Sequence, residues 1–168
     1  TGCGHMRFVI LDRDGVINED STHYIRCVEQ WRPLPGSIEA IADLSRAGYE
    51  VVVATNQSGL GRGLFDRAAL AAIHDELHAR VAAAGGRIGA IFHCPHRPDE
   101  GCACRKPRPG LLDALEAHYA TSVAGSFLVG DKESDIRLAY SRSCTPLLVL
   151  TGDGRQTAAQ LAAAGDVV

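Results

Sequence analysis

Two carboxylates one residue apart, Asp12 and Asp14, follow directly on the apolar run Phe8-Val9-Ile10-Leu11. A continuous apolar run closed by a turn signal reads as a strand covered on both faces, and Gly15 behind it lets the chain turn. Ligands of open α/β sheets bind beyond the carboxyl ends of the strands. One acid is therefore placed to attack as a nucleophile and the other to move a proton. Taken alone, D-x-D reads better as a solvated acidic turn.

Five further segments carry residues able to do chemistry. Thr55-Asn56-Gln57-Ser58-Gly59 follows a second apolar run and clusters short hydroxyls and amides suited to holding an oxyanion. A polar strand-to-helix turn explains any one of these residues, but all five together less well. Gly61-Arg62-Gly63 adds a cation between flexible neighbours. In Val129-Gly130-Asp131-Lys132-Glu133-Ser134-Asp135, Asp131 is placed to join Asp12 around a cation. Carboxylates and a backbone carbonyl are the hard oxygen ligands that Mg²⁺ prefers. Asp135 either orients that metal shell or is a first-turn acid favoured by the helix dipole. Cys94, His96, Cys102 and Cys104 supply three thiolates and an imidazole on one loop, 94–104, which fills a tetrahedral zinc shell and leaves no open position. Buried free thiols with a solvated histidine are the alternative, but a loop rich in Pro and Gly offers little core to bury them in. His93, adjacent at a strand end, reads as packing. Arg105-Lys106-Pro107 follows at once, so a zinc knot would fix two cations able to fork onto phosphate and to neutralise a transferring phosphoryl group.

The elements that position these residues alternate. Strands are expected at Arg7–Leu11, Glu50–Ala54, Gly89–His93, Ser126–Val129 and Pro146–Leu150, and helices at Ser37–Ala47, Asp66–Ala84, Pro109–Tyr119, Glu133–Arg142 and Gln156–Ala164. Val51-Val52-Val53 and Leu147-Leu148-Val149-Leu150 read as strands covered on both faces. This order predicts an α/β fold, a doubly wound parallel sheet with right-handed crossovers. Asn18–Leu34 and Cys94–Pro109 break the rhythm as long loops, which in a compact domain are usually functional or disordered.

Composition narrows the class. Hydrophobic residues make up 46% and charged ones 22%, which suits a globular domain, and a net charge of -3 with no basic run points away from nucleic acid and anionic membrane. No apolar stretch is long enough to span a bilayer, and a single domain over 6–168 acting in the cytoplasm is expected. Three of the six cysteines crowd into one segment, which favours a metal site in a reducing compartment over disulfides. Residues 1–5, ending in Gly4-His5 before Met6, read as a cloning remnant and stay outside the functional reading.

Taken in order, D-x-D-G, T-N-Q-S-G, a lysine before proline and G-D-x-x-x-D resemble the motifs of the haloacid dehalogenase-like phosphohydrolases across Arg7 to Gly152. DRDGVIN, TNQSGLGRG, CPH…CACRKP and GDKESD resemble more narrowly a zinc-loop branch that removes one phosphate from a sugar bisphosphate. The resemblance implies a Rossmann-like fold without a separate cap domain and an open site for a sizeable phosphosugar; the sequence leaves the oligomeric state open, and a monomer is the default expectation. It implies that Asp12 forms an aspartyl-phosphate and that Asp14 protonates the leaving oxygen, then deprotonates the hydrolytic water. Thr55 and Lys106 would hold the phosphoryl oxygens. Mg²⁺ would bind Asp12, the Asp14 carbonyl and Asp131. Arg105 would recognise substrate, with Arg13, Asn56, Gln57, Ser58, Arg62 and Lys132 also counted as substrate-binding. Residues 20–26, Arg26 among them, would meet the sugar or distal phosphate. Where the family usually has Ala-Gly, this chain has Ser143, so its helix end is expected to be less stable. Relatives carry a further helix beyond the position of Val167-Val168. Histidinol-phosphate phosphatases share the fold and a similar zinc loop, but Ser58 and Arg62 suit the sugar branch better. A non-catalytic phosphosugar-binding module is the third reading, and the intact Asp12 and Asp14 argue against it.

Overall fold

Side chains alternate across a strand, and the first strand shows what that alternation builds. Phe8 and Ile10 join one buried cluster, with Val52, Leu112, Leu115, Leu128 and Leu138. Val9 and Leu11 join another, with Val51, Val53, Ile38, Ile41, Ile73 and Leu77. A sheet apolar on both faces must be covered on both, as doubly wound parallel sheets are.

The computed structural model describes residues 5–165, so Thr1–Gly4 and Asp166–Val168 lie outside it. Its strands are β1 (Phe8–Leu11), β2 (Glu50–Asn56), β3 (Ala90–Cys94), β4 (Phe127–Gly130) and β5 (Thr145–Leu148). They form one parallel sheet in the order β3-β2-β1-β4-β5. The helices are α1 (Ser37–Arg46), α2 (Ser58–Gly61), α3 (Arg67–Ala83), α4 (Gly110–Tyr119), α5 (Glu133–Ser141) and α6 (Gly154–Ala163). Helices α1 and α3 supply buried residues to one face, α4 and α5 to the other. No helix among the described residues is long and apolar enough to cross a membrane.

Local signals place the helix ends. Asp66 accepts a hydrogen bond from the Ala69 N–H at 2.8 Å and caps α3. Gly48 and Gly85, with φ of 96° and 86°, end α1 and α3 in the left-handed region. Ser143 stands after α5 with φ 55°. The glycine-for-serine exchange anticipated there does fall on a left-handed residue.

Two expectations need correction. β5 is an edge strand, not one covered on both faces, and Leu147 and Leu150 remain 45% and 52% exposed. Asn18–Leu34 is not a free loop. It carries a 3₁₀ turn at Val28–Gln30, and Trp31 packs with Val9, Ile25 and Ile41.

The chain runs outward from β1 to β3, then returns to lay β4 along the other side of β1. That reversal makes the crevice beyond the ends of β1 and β4 the switch point where such sheets bind ligands. Leu11 lies opposite both Val53 and Val129, so Asp12, Thr55 and Asp131 leave the sheet side by side.

Candidate active site

The β1 exit delivers Asp12, buried, into a cavity of about 270 Å³ whose walls include Asp14, Thr55, Asn56, Gln57, Ser58, Arg105, Lys106, Lys132 and Asp135. Lys106, from the loop after β3, stands at the back. Its Nζ is 3.0 Å from Asp12 Oδ1 and donates to Asp135 Oδ1 at 2.7 Å and to the Ala54 carbonyl at 2.8 Å. An ammonium has three donors, so each is engaged, and Lys106 can grip a phosphoryl oxygen only by yielding one of them. Burial works to lower Lys106, but Asp12 and Asp135 outweigh it and hold the amine above its ordinary value. Burial pushes Asp12 up to about 7, which Lys106 opposes and Asp135 reinforces.

Asn56 does not point its amide at a ligand. Its Oδ1 accepts the Lys106 N–H at 3.0 Å and its Nδ2 donates to the Lys106 carbonyl at 3.4 Å, so it pins the backbone that presents Lys106. Gln57 is similarly committed, donating to Asp14 Oδ2 at 3.1 Å and to Thr55 Oγ1 at 3.0 Å. Asp14 also accepts from Arg13 Nε at 2.8 Å and Asn18 Nδ2 at 2.9 Å. Burial alone would raise Asp14, but the Arg13 charge and the hydrogen bonds from Arg13, Asn18 and Gln57 bring it below the usual carboxylate value. The two acids of D-x-D thus sit in opposite electrostatic environments.

Arg13 corrects an expectation. It is wholly buried and turned away from the cavity, its guanidinium spent on Asp14, Gln57 and His74. Arg62 also falls away. It follows α2, is exposed and does not line the cavity. Ser58, Arg105 and Lys132 do line it. Lys132 Nζ lies 3.3 Å from Asp20 Oδ2, 3.4 Å from Asp131 Oδ2 and 3.8 Å from Asp153 Oδ2. Burial would lower this amine, yet Asp12, Asp131 and Asp20 raise it.

Asp131 is seated by backbone. It accepts the Asp153 N–H at 2.8 Å, and a Cβ on Gly15 or Gly152 would come within 2.3 or 2.2 Å of its Oδ2. No other residue fits at either position, since both also have positive φ (87° and 55°). The carboxylates of Asp12, Asp131 and Asp135 approach within 4.8 Å of one another, all buried. Three hard oxygen donors in one buried group fit Mg²⁺. Asp135 is the most committed of them, accepting from Lys106 Nζ on one oxygen and from the Lys132 N–H, at 3.3 Å, on the other.

On the loop after β3, Cys94 Sγ lies 3.7 Å from Cys102 Sγ and 3.5 Å from His96 Nδ1, with His96 Nδ1 3.2 Å from Cys104 Sγ. A tetrahedron with Zn–S bonds of 2.3 Å has edges of about 3.8 Å. The four donors therefore fit zinc in type and spacing. His93 stays outside this group, its ring 6.3 Å from that of His74.

Sequence reading missed Asn18 as a partner of Asp14 and His74 as a partner of Arg13. Asn18 had a signal, closing the segment D-R-D-G-V-I-N. His74, on α3, had none.

Fold and site define the class, the haloacid dehalogenase-like hydrolases, whose HAD-hydrolase-like family model matches residues 103–168. The chain is 53% identical over 152 residues to the D-glycero-beta-D-manno-heptose-1,7-bisphosphate 7-phosphatase of Pseudomonas putida, covering 90% of this chain and 87% of that one. The D-glycero-alpha-D-manno-heptose-1,7-bisphosphate 7-phosphatase of Mycobacterium tuberculosis is 41% identical over 140 residues, 82% of this chain and 74% of that one. The crystal structure of the D,D-heptose 1,7-bisphosphate phosphatase from B. bronchiseptica, complexed with magnesium and phosphate, superposes with TM-score 0.89 at 52% identity, covering 92% of this chain and 87% of that one. The chain belongs to the family of D-glycero-D-manno-heptose-1,7-bisphosphate 7-phosphatases.

Proposed function

We infer that the protein hydrolyses the C7 phosphate of D-glycero-D-manno-heptose 1,7-bisphosphate through an aspartyl-phosphate on Asp12. The observation that carries the chemistry is the placement of both acids in one cavity, Asp12 with Lys106 at hand for the phosphoryl group and Asp14 beside it for the proton. Asp12 lies against Lys106, and Asp14 is held by three hydrogen-bonding side chains at its edge. An Asp12 oxygen would bond to phosphorus as the P–O7 bond breaks, its electron pair leaving on the sugar oxygen and taking a proton from Asp14. Water would then attack the phosphoryl group, giving its proton to Asp14 and releasing Asp12. Thr55 and Lys106 would bind the phosphoryl oxygens in both steps, where charge develops. Mg²⁺ held by Asp12, Asp131 and the Asp14 carbonyl would supply the positive charge that favours an ionised Asp12 beside a phosphate. Asp135 would hold Lys106 in place.

Ser58, Arg105 and Lys132 line the remaining cavity and would meet the sugar and its distal phosphate. A second cavity of about 470 Å³ shares Asp20, Ser21, Tyr24 and Ile25 with the first and reaches Arg26, which gives the distal phosphate a direction. Kinship supports the substrate. The relatives at 53% and 52% identity are named for the beta anomer and the one at 41% for the alpha anomer, so the beta bisphosphate is the expected preference. The reading also entails a cytoplasmic monomer with catalytic Mg²⁺ and structural Zn²⁺, serving activated heptose for lipopolysaccharide or other cell-surface polysaccharide.

Phosphate release from both anomers, from simple sugar monophosphates and from histidinol phosphate tests the reading. The beta bisphosphate should have the highest kcat/KM, and Asp12→Asn should abolish turnover. Equal kcat/KM on the bisphosphate and the monophosphates would overturn the substrate claim, and an active Asp12→Asn would overturn the nucleophile.

A further inference from the structure

We propose that His74 is a positioning residue for Asp14, acting through the guanidinium of Arg13. The proposal rests on the reading of Asp14 as the group that exchanges a proton with the sugar oxygen.

His74 lies on α3, the helix that also buries Leu70, Ile73, Leu77 and Val81, and it does not touch the cavity. Its Nε2 is 3.1 Å from Arg13 Nη1. A guanidinium has no acceptor, so Nε2 must accept, and the imidazole must be neutral with its proton on Nδ1. The surroundings favour that state. Burial and then the charge of Arg13 bring His74 down to about 3, with His93 adding to the effect. Arg13 is thereby held at three corners: Nη1 on His74, Nη2 on Gln57 Oε1 at 3.3 Å, and Nε on Asp14 Oδ1 at 2.8 Å. Since the guanidinium is planar and its fork rigid, fixing the two Nη corners fixes where Nε points.

The consequence falls on a particular oxygen of Asp14. Oδ1 accepts from Arg13 Nε and Asn18 Nδ2, while Oδ2 accepts only from Gln57 Nε2. A carboxylate oxygen offers two lone pairs, so Oδ1 is filled and Oδ2 keeps one free. The clamp therefore selects Oδ2 as the atom that carries the proton and directs it at the substrate. Without the acceptor on α3, the guanidinium can rotate, Oδ1 can shed a donor, and the proton is no longer confined to one oxygen.

A misplaced proton donor costs most where the leaving group needs a proton. A sugar alkoxide does; 4-nitrophenolate does not. The test compares His74→Gln, whose Oε1 overlays Nε2, with His74→Asn, whose shorter amide overlays Nδ1 and falls short of Arg13. Both variants are polar and tolerated in a helix. His74→Asn should lower kcat on the heptose bisphosphate about tenfold or more, with little change in KM, since general acid catalysis is worth more than that. On 4-nitrophenyl phosphate its kcat should fall less than about threefold. His74→Gln should recover most of the loss. Asp14→Asn is the control: it should lose most turnover on both substrates, because both need its carboxylate to take the proton of the hydrolytic water, and lose more on the bisphosphate, which also needs its proton. Equal losses on the two substrates in His74→Asn, or a His74→Gln no better than His74→Asn, would overturn the proposal while leaving Asp14 in its role. An Asp14→Asn variant that keeps its turnover on both substrates would overturn the reading of Asp14 and the proposal with it.

Discussion

Lys106 is the only cation touching both Asp12 and Asp135 among the described residues, and its side chain is 4% exposed. Lys106→Met keeps most of the stem's packing and removes the charge, leaving two buried carboxylates without a counter-ion. Removing one partner of a buried pair costs about 3–5 kcal/mol, a large share of the roughly 5–15 kcal/mol that holds a domain folded. Asp12, already raised by burial, would then retain a proton and recover part of that cost. Asp135→Asn removes one of the two competing acids and leaves Lys106 paired with Asp12 at 3.0 Å and the Ala54 carbonyl at 2.8 Å. In the double variant the remaining acid faces a neutral amide. The cost of losing Lys106 should therefore shrink by about 1–3 kcal/mol when Asp135 is already Asn, the range of coupling seen for contacting charges. The assay is urea unfolding of the four proteins with a chelator present, extrapolated at equal m-values. The two single variants and the double variant should all lose phosphatase activity, which separates the stability effect from the catalytic one. Additivity within about 0.5 kcal/mol would refute the reasoning, because Lys106 and Asp135 would then not depend on each other.

Other expected outcomes are separate from this cycle. Ser143→Gly should raise stability by about 1 kcal/mol in the same assay, since φ 55° costs a residue with a Cβ and costs glycine almost nothing. Elemental analysis of protein purified without chelator should find about one zinc per chain, and stripping it, or Cys102→Ser, should lower Tm by more than about 5 °C. Finding no zinc would refute the assignment of that loop. His74 takes a proton near 6.5 when unfolded and only near 3 when folded, so protonation favours the unfolded chain progressively as pH falls between those values. Its contribution should be fully present above 6.5 and drop by about 1.4 kcal/mol per pH unit below it. His74→Gln should flatten the stability profile in that window, and an unchanged slope would count against a neutral, buried His74. Gly15→Ala should lower kcat/KM at least about tenfold by pushing Asp131 aside.

How much of this was legible in the chain depended on whether the signal was local. The strands that lie inside the sheet are apolar runs, and their ends carry the acids, so β1, β2 and β4 could be read with their functional residues to within two positions. β5 has an equally apolar run but lies at the edge. Edge position follows from the order in which distant strands pair, which no local run records. Helix α2 went unseen because Ser58-Gly59-Leu60-Gly61 is a poor helix by propensity. That hidden turn carries Arg62 away from the cavity.

Arg13 is the more instructive case, because its direction was open to deduction. Side chains in an extended segment alternate, so if Asp12 and Asp14 face the cavity, the residue between them faces the protein. A cation turned inward is not a substrate contact, and it cannot remain buried without acceptors for its donors. One acceptor is its neighbour Asp14 and another is Gln57, both in motifs the chain displays openly. The third had to come from whichever helix covers that face. It comes from His74, 61 residues away on α3. A half-buried histidine on the covering helix is unremarkable by itself, and becomes informative once the inward arginine requires an acceptor there. The D-R-D spacing thus specifies more than two acids at a strand end. It requires a buried guanidinium between them, and through that requirement it extends the site to a helix that never meets the substrate.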